Sequence, residues 1–295
     1  MTQSNWVADR IRAQQPGAQV ELVVIKTQGD ILQDVSLAKV GGKGLFVKEI
    51  EEALRKGDVD FAVHSLKDLP VELPEGLSIA ATTKREDPRD CLVSLDGRSL
   101  EELPAGALIG TGSLRRSVQL KNRFPKFIIV PLRGNLDTRL GKVAANGLDG
   151  VILAAAGIRR MGWEGKISQY IPPETMLPAV GQGILGIETR RDAISVREAI
   201  AFLDDPETVC ETAAERAFLA ALSGGGCQLP IAGFARKERE RLTVEGLIGS
   251  MDGKVLLQER IEGAAQDAAA LGRWLAETLL GKGGKALLDS IGEAH

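Results

Sequence analysis

A chain of 295 residues has room for two or three compact domains, each with a buried core. Its net charge of −3 and its aromatic content of 4 % argue against broad attraction to nucleic acid or to an anionic membrane, and we expect neither as a partner. The N-terminal residues 1–15 contain no apolar stretch, and the longest apolar run, residues 151–158, is too short to cross a bilayer, so we expect a cytoplasmic protein.

The first part of the chain alternates short apolar strands with amphipathic helices, a pattern typical of an α/β fold with largely parallel sheets. The pattern predicts helices near residues 5–14 and 46–56 and strands near residues 20–26 and 60–64. Between these elements, Lys39, Lys43 and Lys48 surround three glycines. This segment is either a lid over an anionic ligand or an ordinary flexible surface loop.

Asp68 follows the strand near residues 60–64, in the sequence HSLKDLP. A carboxylate at the end of a strand can point into a cleft and stabilise a developing cation, although an aspartate before a proline is also typical of a turn. We interpret the nearby His64 as a partly buried structural histidine rather than as a base.

Three strand-loop-helix units occupy the middle of the chain, and each places arginine just after a strand. Ligands of parallel α/β sheets bind at the carboxyl ends of the strands, where helix N-termini also present free N–H groups. We therefore expect one crevice to gather Arg115, Arg116, Arg133, Arg139, Arg159 and Arg160. Such a crevice suits a ligand with several anionic groups, whereas the alternative is a set of solvated arginines paired with neighbouring acids.

The C-terminal part differs in character. A helix is predicted over residues 206–222, three antiparallel strands near residues 231–236, 241–249 and 254–260, and a last helix near residues 264–280. The chain is thus predicted to divide into domain 1 (residues 1–83 and 184–203), domain 2 (residues 90–178) and a small α+β domain 3 (residues 206–295).

The three cysteines have different surroundings. Cys227 follows three glycines, which leave room for a bulky group, so it is a candidate carrier or nucleophilic thiol. Cys91 and Cys210 are interpreted as small apolar core residues. Because the cysteines and the two histidines have no zinc-binding spacing, we expect neither a metal site nor a disulfide framework.

Eight segments, in this order and spacing, resemble the porphobilinogen deaminase family, also called hydroxymethylbilane synthase. They are AKVGGKGLFVKE, AVHSLKDLP, REDPRD, IGTGSLRR, LRGNLDTRL, LPAVGQG, AAERAFL and GGGCQLPI. The resemblance implies two α/β lobes around a cleft, similar to periplasmic binding proteins, with a small third domain that carries the cysteine. It also implies a monomer.

The resemblance further implies a transferase that uses porphobilinogen. In the family, a dipyrromethane cofactor, made from two substrate molecules, is held through a thioether by the cysteine that matches Cys227. Four porphobilinogen units are deaminated and condensed head to tail onto it. Hydrolysis then releases the linear tetrapyrrole hydroxymethylbilane, and the cofactor stays.

The family also implies roles for individual side chains. Asp68 is the main catalytic residue, which stabilises the cationic azafulvene formed when ammonia leaves, and Arg133 assists departure of the amine. The residues that hold carboxylates of cofactor or substrate are Ser65, Lys67, Thr111, Ser113, Arg115, Arg116, Arg139 and Arg160. Lys39, Lys43 and Phe46 lie in or beside a mobile loop.

Two departures from the family pattern are visible. Family members usually begin with a strand and a TR-S-LAL segment, whereas this sequence starts after it, near Gln3. We interpret this as a start codon assigned too late. The second departure is Gly112, where serine is common.

Two other classes of function are retained as alternatives. A two-lobed fold is also compatible with a non-catalytic binding protein for an anionic small molecule, although the absence of an export signal disfavours it. A nucleic-acid-binding module is disfavoured by the net charge and the few aromatic residues.

Overall fold

The strands form three β-sheets, each covered by helices, within residues 1–27, 47–222 and 229–292, which are those that the computed structural model describes. The predicted site residues Lys39, Lys43, Phe46 and Cys227 lie outside these ranges.

The elements follow the chain in a mixed α/β order. The helices are α1 (Thr2–Gln14), α2 (Lys48–Lys56), α3 (Leu114–Arg123), α4 (Leu136–Ala145), α5 (Ala155–Arg160), α6 (Ile194–Ile200), α7 (Pro206–Ala221), α8 (Ala268–Leu279) and α9 (Lys285–Gly292). The strands are β1 (Phe61–Ser65), β2 (Leu77–Thr82), β3 (Asp90–Ser94), β4 (Leu108–Thr111), β5 (Ile128–Pro131), β6 (Gly150–Ala154), β7 (Gln169–Ile171), β8 (Leu185–Arg190), β9 (Ile231–Glu238), β10 (Arg241–Gly249) and β11 (Leu256–Ala264).

The first lobe is built on the sheet β1–β8–β2, in which β8 is antiparallel to both neighbours. Val7 and Ile11 lie four residues apart, and hence on one face of α1, and are buried against β8. On the other face of the sheet, Leu54 of α2 packs against Ala62 and Leu77. The lobe therefore has a helix on each side of its sheet.

The second lobe is built on the sheet β5–β4–β6–β3–β7. Strand β4 is parallel to β5 and β6, whereas β3 is antiparallel to β6 and β7. Successive residues of β6 point to opposite faces, so Val151 and Leu153 are buried in one core and Ile152 in another. Both faces of this sheet are thus covered.

The C-terminal part, from α7 to α9, is an antiparallel sheet, β9–β10–β11, packed against α7 and α8. Asp205 caps α7 by accepting a hydrogen bond from the backbone N–H of Thr208, and Pro206 occupies the first turn. The fully buried ring of Phe218 lies at the centre of this core. The predicted α+β arrangement is confirmed.

Two segments connect the lobes. The first crossover (residues 83–89) leads from β2 to β3, and the second crossover (residues 172–184) returns from β7 to β8. Because β8 enters the first lobe from the crossover end, it runs opposite to β1 and β2. The prediction of largely parallel sheets is therefore right for β4, β5 and β6 but wrong for the described strands of the first lobe.

The strand predicted near residues 20–26 is also wrong, because this segment has no regular structure. Val23 and Val24 are 55 % and 67 % exposed. A strand is stabilised by a hydrogen-bonded neighbour, and none of the described strands pairs with this segment. The apolar pattern of a segment does not show whether another strand lies beside it.

Among the helices that the structure describes, none has the length and apolar character needed to span a membrane.

Candidate active site

The carboxyl ends of three parallel strands meet at one edge of the second-lobe sheet. Strands β4, β5 and β6 end there at Thr111, Pro131 and Ala154. Strand β3 runs the opposite way, and its first residue, Asp90, pairs with Ala154. The loops that carry the predicted arginines therefore share one edge, as the sequence predicted, and an aspartate lies among them.

Two predicted hydroxyl groups fix the start of α3 at this edge. Oγ of Ser113 accepts a hydrogen bond from the backbone N–H of Arg116 at 3.4 Å, which makes Ser113 the N-cap of the helix. Oγ1 of Thr111 accepts from the backbone N–H of Ser113 at 3.3 Å. These bonds set the direction in which the first turn of α3 projects its side chains.

Asp90, which has no exposed surface, binds both arginines of that turn. Its Oδ2 accepts from Nη1 of Arg115 at 2.6 Å, and its Oδ1 accepts from Nη2 and Nε of Arg116 at 2.7 and 3.0 Å. Burial by itself raises the pKa of Asp90, but the two guanidinium charges outweigh it and hold that pKa well below its ordinary value. Arg115 and Arg116, each 4 % exposed, thus lie side by side on one carboxylate.

The first lobe contributes Lys67 and Asp68, in the short 3₁₀ turn Leu66–Asp68 that directly follows β1. Nζ of Lys67 donates to Oε1 of Gln182 at 3.4 Å. The pKa of Lys67 is lowered, chiefly because burial removes water from its ammonium group, with the Asp68 charge acting in the opposite direction. Asp68 itself is exposed.

Gln182 connects the two lobes at this site. Besides its contact with Lys67, its Nε2 donates to Oδ1 of Asp90 at 2.9 Å and to the backbone oxygen of Pro88 at 2.7 Å. Gln182 lies in the second crossover and Pro88 in the first. Gln182 therefore links the second crossover, to which it belongs, to the first crossover and to Asp90.

Arg139 also belongs to this group. Its Nε donates to the backbone oxygen of Gly134 at 2.7 Å. The pKa of Arg139 is lowered, first by burial and then by the nearby charge of Arg116, while the charge of Asp68 opposes the shift. The charges of Arg116 and Asp68 therefore both act on the guanidinium group of Arg139.

Three other predicted residues, Ser65, Arg133 and Arg160, have no described contact with Asp90 or with the arginines that it binds. Oγ of Ser65 accepts from Nε2 of Gln3 at 2.7 Å, and Arg133 is half-buried just after β5. Nη2 of Arg160 donates to the backbone oxygen of Gly183 at 2.7 Å, so this arginine lies against the second crossover. Roles of these residues in ligand binding stay predictions.

Arg159 matches the alternative interpretation of the arginine pattern. Its Nε lies 3.0 Å from Oε1 of Glu86, and both side chains are more than one-third exposed. The partner acid belongs to the first crossover, so this exposed ion pair joins α5 to the connection between the lobes.

His64 is buried, and its Nε2 lies 3.0 Å from Oε2 of Glu188, without the alignment of a hydrogen bond. Glu51 of α2 is in the same cluster, and its pKa is raised by burial and by the charge of Glu188. The interpretation of His64 as a structural residue agrees with this burial.

The two cysteines within the described ranges agree with their predicted core roles. Cys91 has no exposed surface, and burial raises its pKa to about 12. Cys210 is half-buried, and its Sγ donates to the backbone oxygen of Ala265 at 3.3 Å. Neither has the exposed, acidic thiol that nucleophilic chemistry requires.

Asp90 and Gln182 were not identified as site residues from the sequence. Asp90 closes the charged segment REDPRD and begins a strand, and Gln182 lies between two glycines. Asp90 could have been identified as an acid at the start of a strand. That start lies at the arginine-rich edge only because β3 is antiparallel to β6, and the sequence does not show this direction.

The donor set fits a ligand that carries several carboxylates, such as a dipyrromethane group. The cations Lys67, Arg115, Arg116 and Arg139 outnumber the two carboxylates of Asp68 and Asp90 with which they interact. Within the ranges that the structure describes, no group of three or more histidine, cysteine, aspartate and glutamate side chains is arranged to hold a metal ion.

Comparison with known proteins agrees with this chemistry. The family profile described as "Porphobilinogen deaminase, dipyromethane cofactor binding domain" matches residues 1–198, and "Porphobilinogen deaminase, C-terminal domain" matches residues 209–281. The chain is 57 % identical over 291 residues to a porphobilinogen deaminase of Syntrophus aciditrophicus, covering 99 % of this chain and 95 % of that protein. It is 50 % identical over 292 residues to one of Brevibacillus brevis, covering 99 % and 94 %.

Two solved structures, one of a binding protein and one of a receptor, show a weaker likeness. A probable amino-acid transporter binding protein of Bacillus subtilis aligns with 68 % of this chain and 78 % of its own, with a TM-score of 0.40 and 9 % identity. The L-cystine receptor of Neisseria gonorrhoeae aligns with 72 % and 80 %, with a TM-score of 0.37 and 13 % identity. The α/β class rests on the sheets and on the helices that cover them.

Both halves of the chain match the same family, at high identity and over nearly the full length. The first profile also names the dipyrromethane cofactor for which the donor set is suited. The chain belongs to the porphobilinogen deaminase family of tetrapyrrole-synthesising transferases.

Proposed function

We propose that this protein deaminates porphobilinogen and condenses four units head to tail on a dipyrromethane cofactor attached to Cys227, releasing hydroxymethylbilane. The observation that carries this proposal is the cluster of four cations, Lys67, Arg115, Arg116 and Arg139, with Asp90 and the exposed Asp68, at the junction of the two lobes. Each pyrrole of the substrate bears an acetate and a propionate, so a growing oligomer needs several positive partners and one negative charge near the pyrrole nitrogens.

The cofactor, when bound, supplies the pyrrole carbon to which the first substrate unit is joined. We assign its carboxylates, and those of the substrate, to Lys67, Arg116 and Arg139, with Ser65, Thr111, Ser113, Arg115 and Arg160 as further predicted contacts. Guanidinium groups suit this task because they bind a carboxylate through two parallel N–H donors.

Asp68 is proposed to stabilise the positive charge that develops on a pyrrole nitrogen when ammonia leaves. Its exposed position at the end of the turn allows a ligand to approach, and a carboxylate placed there can stabilise a developing positive charge. Arg133 is proposed to assist the departing amine from its position after β5.

We further propose the division into domain 1 (residues 1–83 and 184–203), domain 2 (residues 90–178) and domain 3 (residues 206–295). The three sheets support it, because each lies within one of these units. A cytoplasmic protein without a nucleic-acid or membrane partner completes the proposal, supported by the composition, and the monomer is proposed from the family resemblance alone.

Intact-mass spectrometry and a turnover assay test the proposal together. The purified protein is expected to carry a dipyrromethane adduct that is absent from Cys227→Ser and to convert porphobilinogen into a linear tetrapyrrole. Cys210→Ser is the matched control and is expected to keep the adduct. A protein that binds porphobilinogen but never releases ammonia would instead be a non-catalytic binding protein.

A further inference from the structure

The two adjacent arginines of α3, Arg115 and Arg116, differ in how many of their N–H groups donate to other groups of the protein. Nη1 of Arg115 donates to Asp90 and to the backbone oxygen of Leu177 at 2.8 Å, and its Nη2 donates to Asp90 at 3.2 Å and to Oε1 of Gln182 at 3.5 Å. All four N–H groups on its terminal nitrogens are therefore used within the protein. Arg115 therefore joins β3 to the second crossover, which makes it a weaker candidate for direct contact with a ligand carboxylate than the family resemblance implies.

Arg116 is held by fewer bonds. Its Nε and Nη2 donate to Asp90, and its Nη1 donates to the backbone oxygen of Ile152 at 3.0 Å. One N–H on each terminal nitrogen has no partner among the residues that the structure describes. Arg116 thus keeps two donors, one on each arm of its guanidinium fork.

The charges at this point do not balance. One carboxylate, that of Asp90, serves two guanidinium groups that are each 4 % exposed, which leaves one excess positive charge. Lys67 lies in the same neighbourhood, where the charge of Asp68 also acts on it. A buried excess charge is unfavourable unless an anion pairs with it, so the arrangement favours the entry of a carboxylate.

We propose that Asp90, itself held by Arg115, is a positioning residue that holds the guanidinium of Arg116 as a preformed fork for one ligand carboxylate. The identification of that ligand as a pyrrole acetate or propionate rests on the proposed function, whereas the positioning itself does not. Preorganised donors bind more tightly because little side-chain freedom is lost on binding.

The topology places Asp90 where it can hold Arg116 in a fixed position relative to both lobes. Asp90 begins β3 directly after the first crossover, and Gln182 of the second crossover donates to it at 2.9 Å. The first crossover therefore leads directly to the residue whose carboxylate orients Arg116, and the second crossover donates a hydrogen bond to that carboxylate. The fork is fixed relative to the junction of the lobes rather than to α3 alone.

The first test uses the full chain prepared without cofactor and labelled with ¹⁵N-arginine. The Nε–H signal of Arg116, assigned with Arg116→Lys, is expected to be visible at neutral pH, because a buried hydrogen bond slows its exchange with water. In Asp90→Asn this signal is expected to disappear or shift, whereas in Asp149→Asn it stays. Asp149 is the matched control, since its carboxylate bonds the backbone N–H of Leu108 at the opposite edge of the same sheet.

The second test incubates the same proteins with porphobilinogen and measures cofactor loading by intact mass, followed by KM and kcat. Loading by Asp90→Asn is expected to slow by about tenfold or more, because charge-assisted hydrogen bonds to the ligand are lost, and KM is expected to rise. A merely structural role for Asp90 would lower the amount of active protein and leave KM unchanged.

Asp90→Glu keeps the negative charge and displaces it by one methylene, which provides a variant if Asp90→Asn does not fold. It is expected to fold, to raise KM and to retain most of kcat. The proposal is wrong if Asp90→Glu or a folded Asp90→Asn keeps both the Arg116 signal and the wild-type KM. If the wild-type chain itself does not take up porphobilinogen, the proposed function fails, and the arginine signals still decide whether Asp90 positions Arg116.

Discussion

Nη2 of Arg85 donates to Oε1 of Glu215 at 2.7 Å, and this bond ties the first crossover to helix α7 of the C-terminal part. Glu215 has no exposed surface, and its Oε2 accepts from the backbone N–H of Gly181 at 2.6 Å. One buried carboxylate therefore contacts both crossovers. The helix that bears it leads directly into residues 223–228, which include Cys227.

Glu215→Gln is expected to lower the free energy of unfolding by about 3 kcal/mol, because the buried guanidinium of Arg85 then keeps only Glu211 as a charged partner. Urea denaturation measures this loss. Glu207→Gln, at the exposed first turn of the same helix, is the control and is expected to change stability by less than about 0.5 kcal/mol. Equal effects of the two substitutions would show that the contact with the crossovers contributes nothing.

Asp68→Asn is expected to lower kcat by about 10² to 10⁴, the range typical of a side chain that acts on the reacting group, with little change in stability because Asp68 is exposed. Steady-state release of ammonia measures the rate, and circular dichroism checks the fold. Asp60→Asn, an exposed aspartate just before β1, is expected to keep the wild-type rate. Retention of full activity by Asp68→Asn would remove Asp68 from the mechanism.

Gly112→Ala is expected to destabilise the protein by about 1 to 3 kcal/mol, the usual cost of overpacking. A Cβ at this position would lie 2.4 Å from the backbone oxygen of Leu132, so the loop before α3 must move. Serine, which the family resemblance leads one to expect here, carries the same Cβ.

Gly141→Ala is the matched control, because a Cβ on α4 meets no atom within 4 Å. It is expected to raise stability by about 0.4 to 1 kcal/mol through the lower entropy of the unfolded chain. Melting temperatures that rise in both variants would contradict the close approach of the two loops.

The depressed pKa of Asp90 predicts a pH dependence of stability. Since the folded pKa lies below the ordinary value of 3.8, the stabilisation is fully present above pH 3.8 and is lost as the pH falls below it. Over this range the unfolding free energy of the wild type is expected to fall more steeply than that of Asp90→Asn, by up to about 1.4 kcal/mol per pH unit.

Urea denaturation at pH 5, 4 and 3 measures the two slopes. Asp149→Asn, which removes a half-buried carboxylate from the far edge of the sheet, is expected to follow the wild type more closely. Parallel curves for the wild type and Asp90→Asn would mean that the two arginines do not hold Asp90 ionised.

The sequence alone determined the resemblance to the family and most of the secondary-structure elements. Helices α1, α2 and α7 begin or end within a few residues of their predicted bounds, because capping residues and apolar spacing are local signals. The arginines after β4, β5 and β6 were placed at one sheet edge for a similar reason, since each follows its own strand.

Only the tertiary structure decided which groups meet. Asp90 is 25 and 26 residues from the arginines that it binds, and Gln182 is 92 residues from Asp90, so no local pattern links them. Their meeting depends on the antiparallel entry of β3 and on the return of the chain through the second crossover. The failed strand near residues 20–26 has the same cause, because a strand is stabilised by a neighbour, and neighbours in a sheet are set by the whole fold.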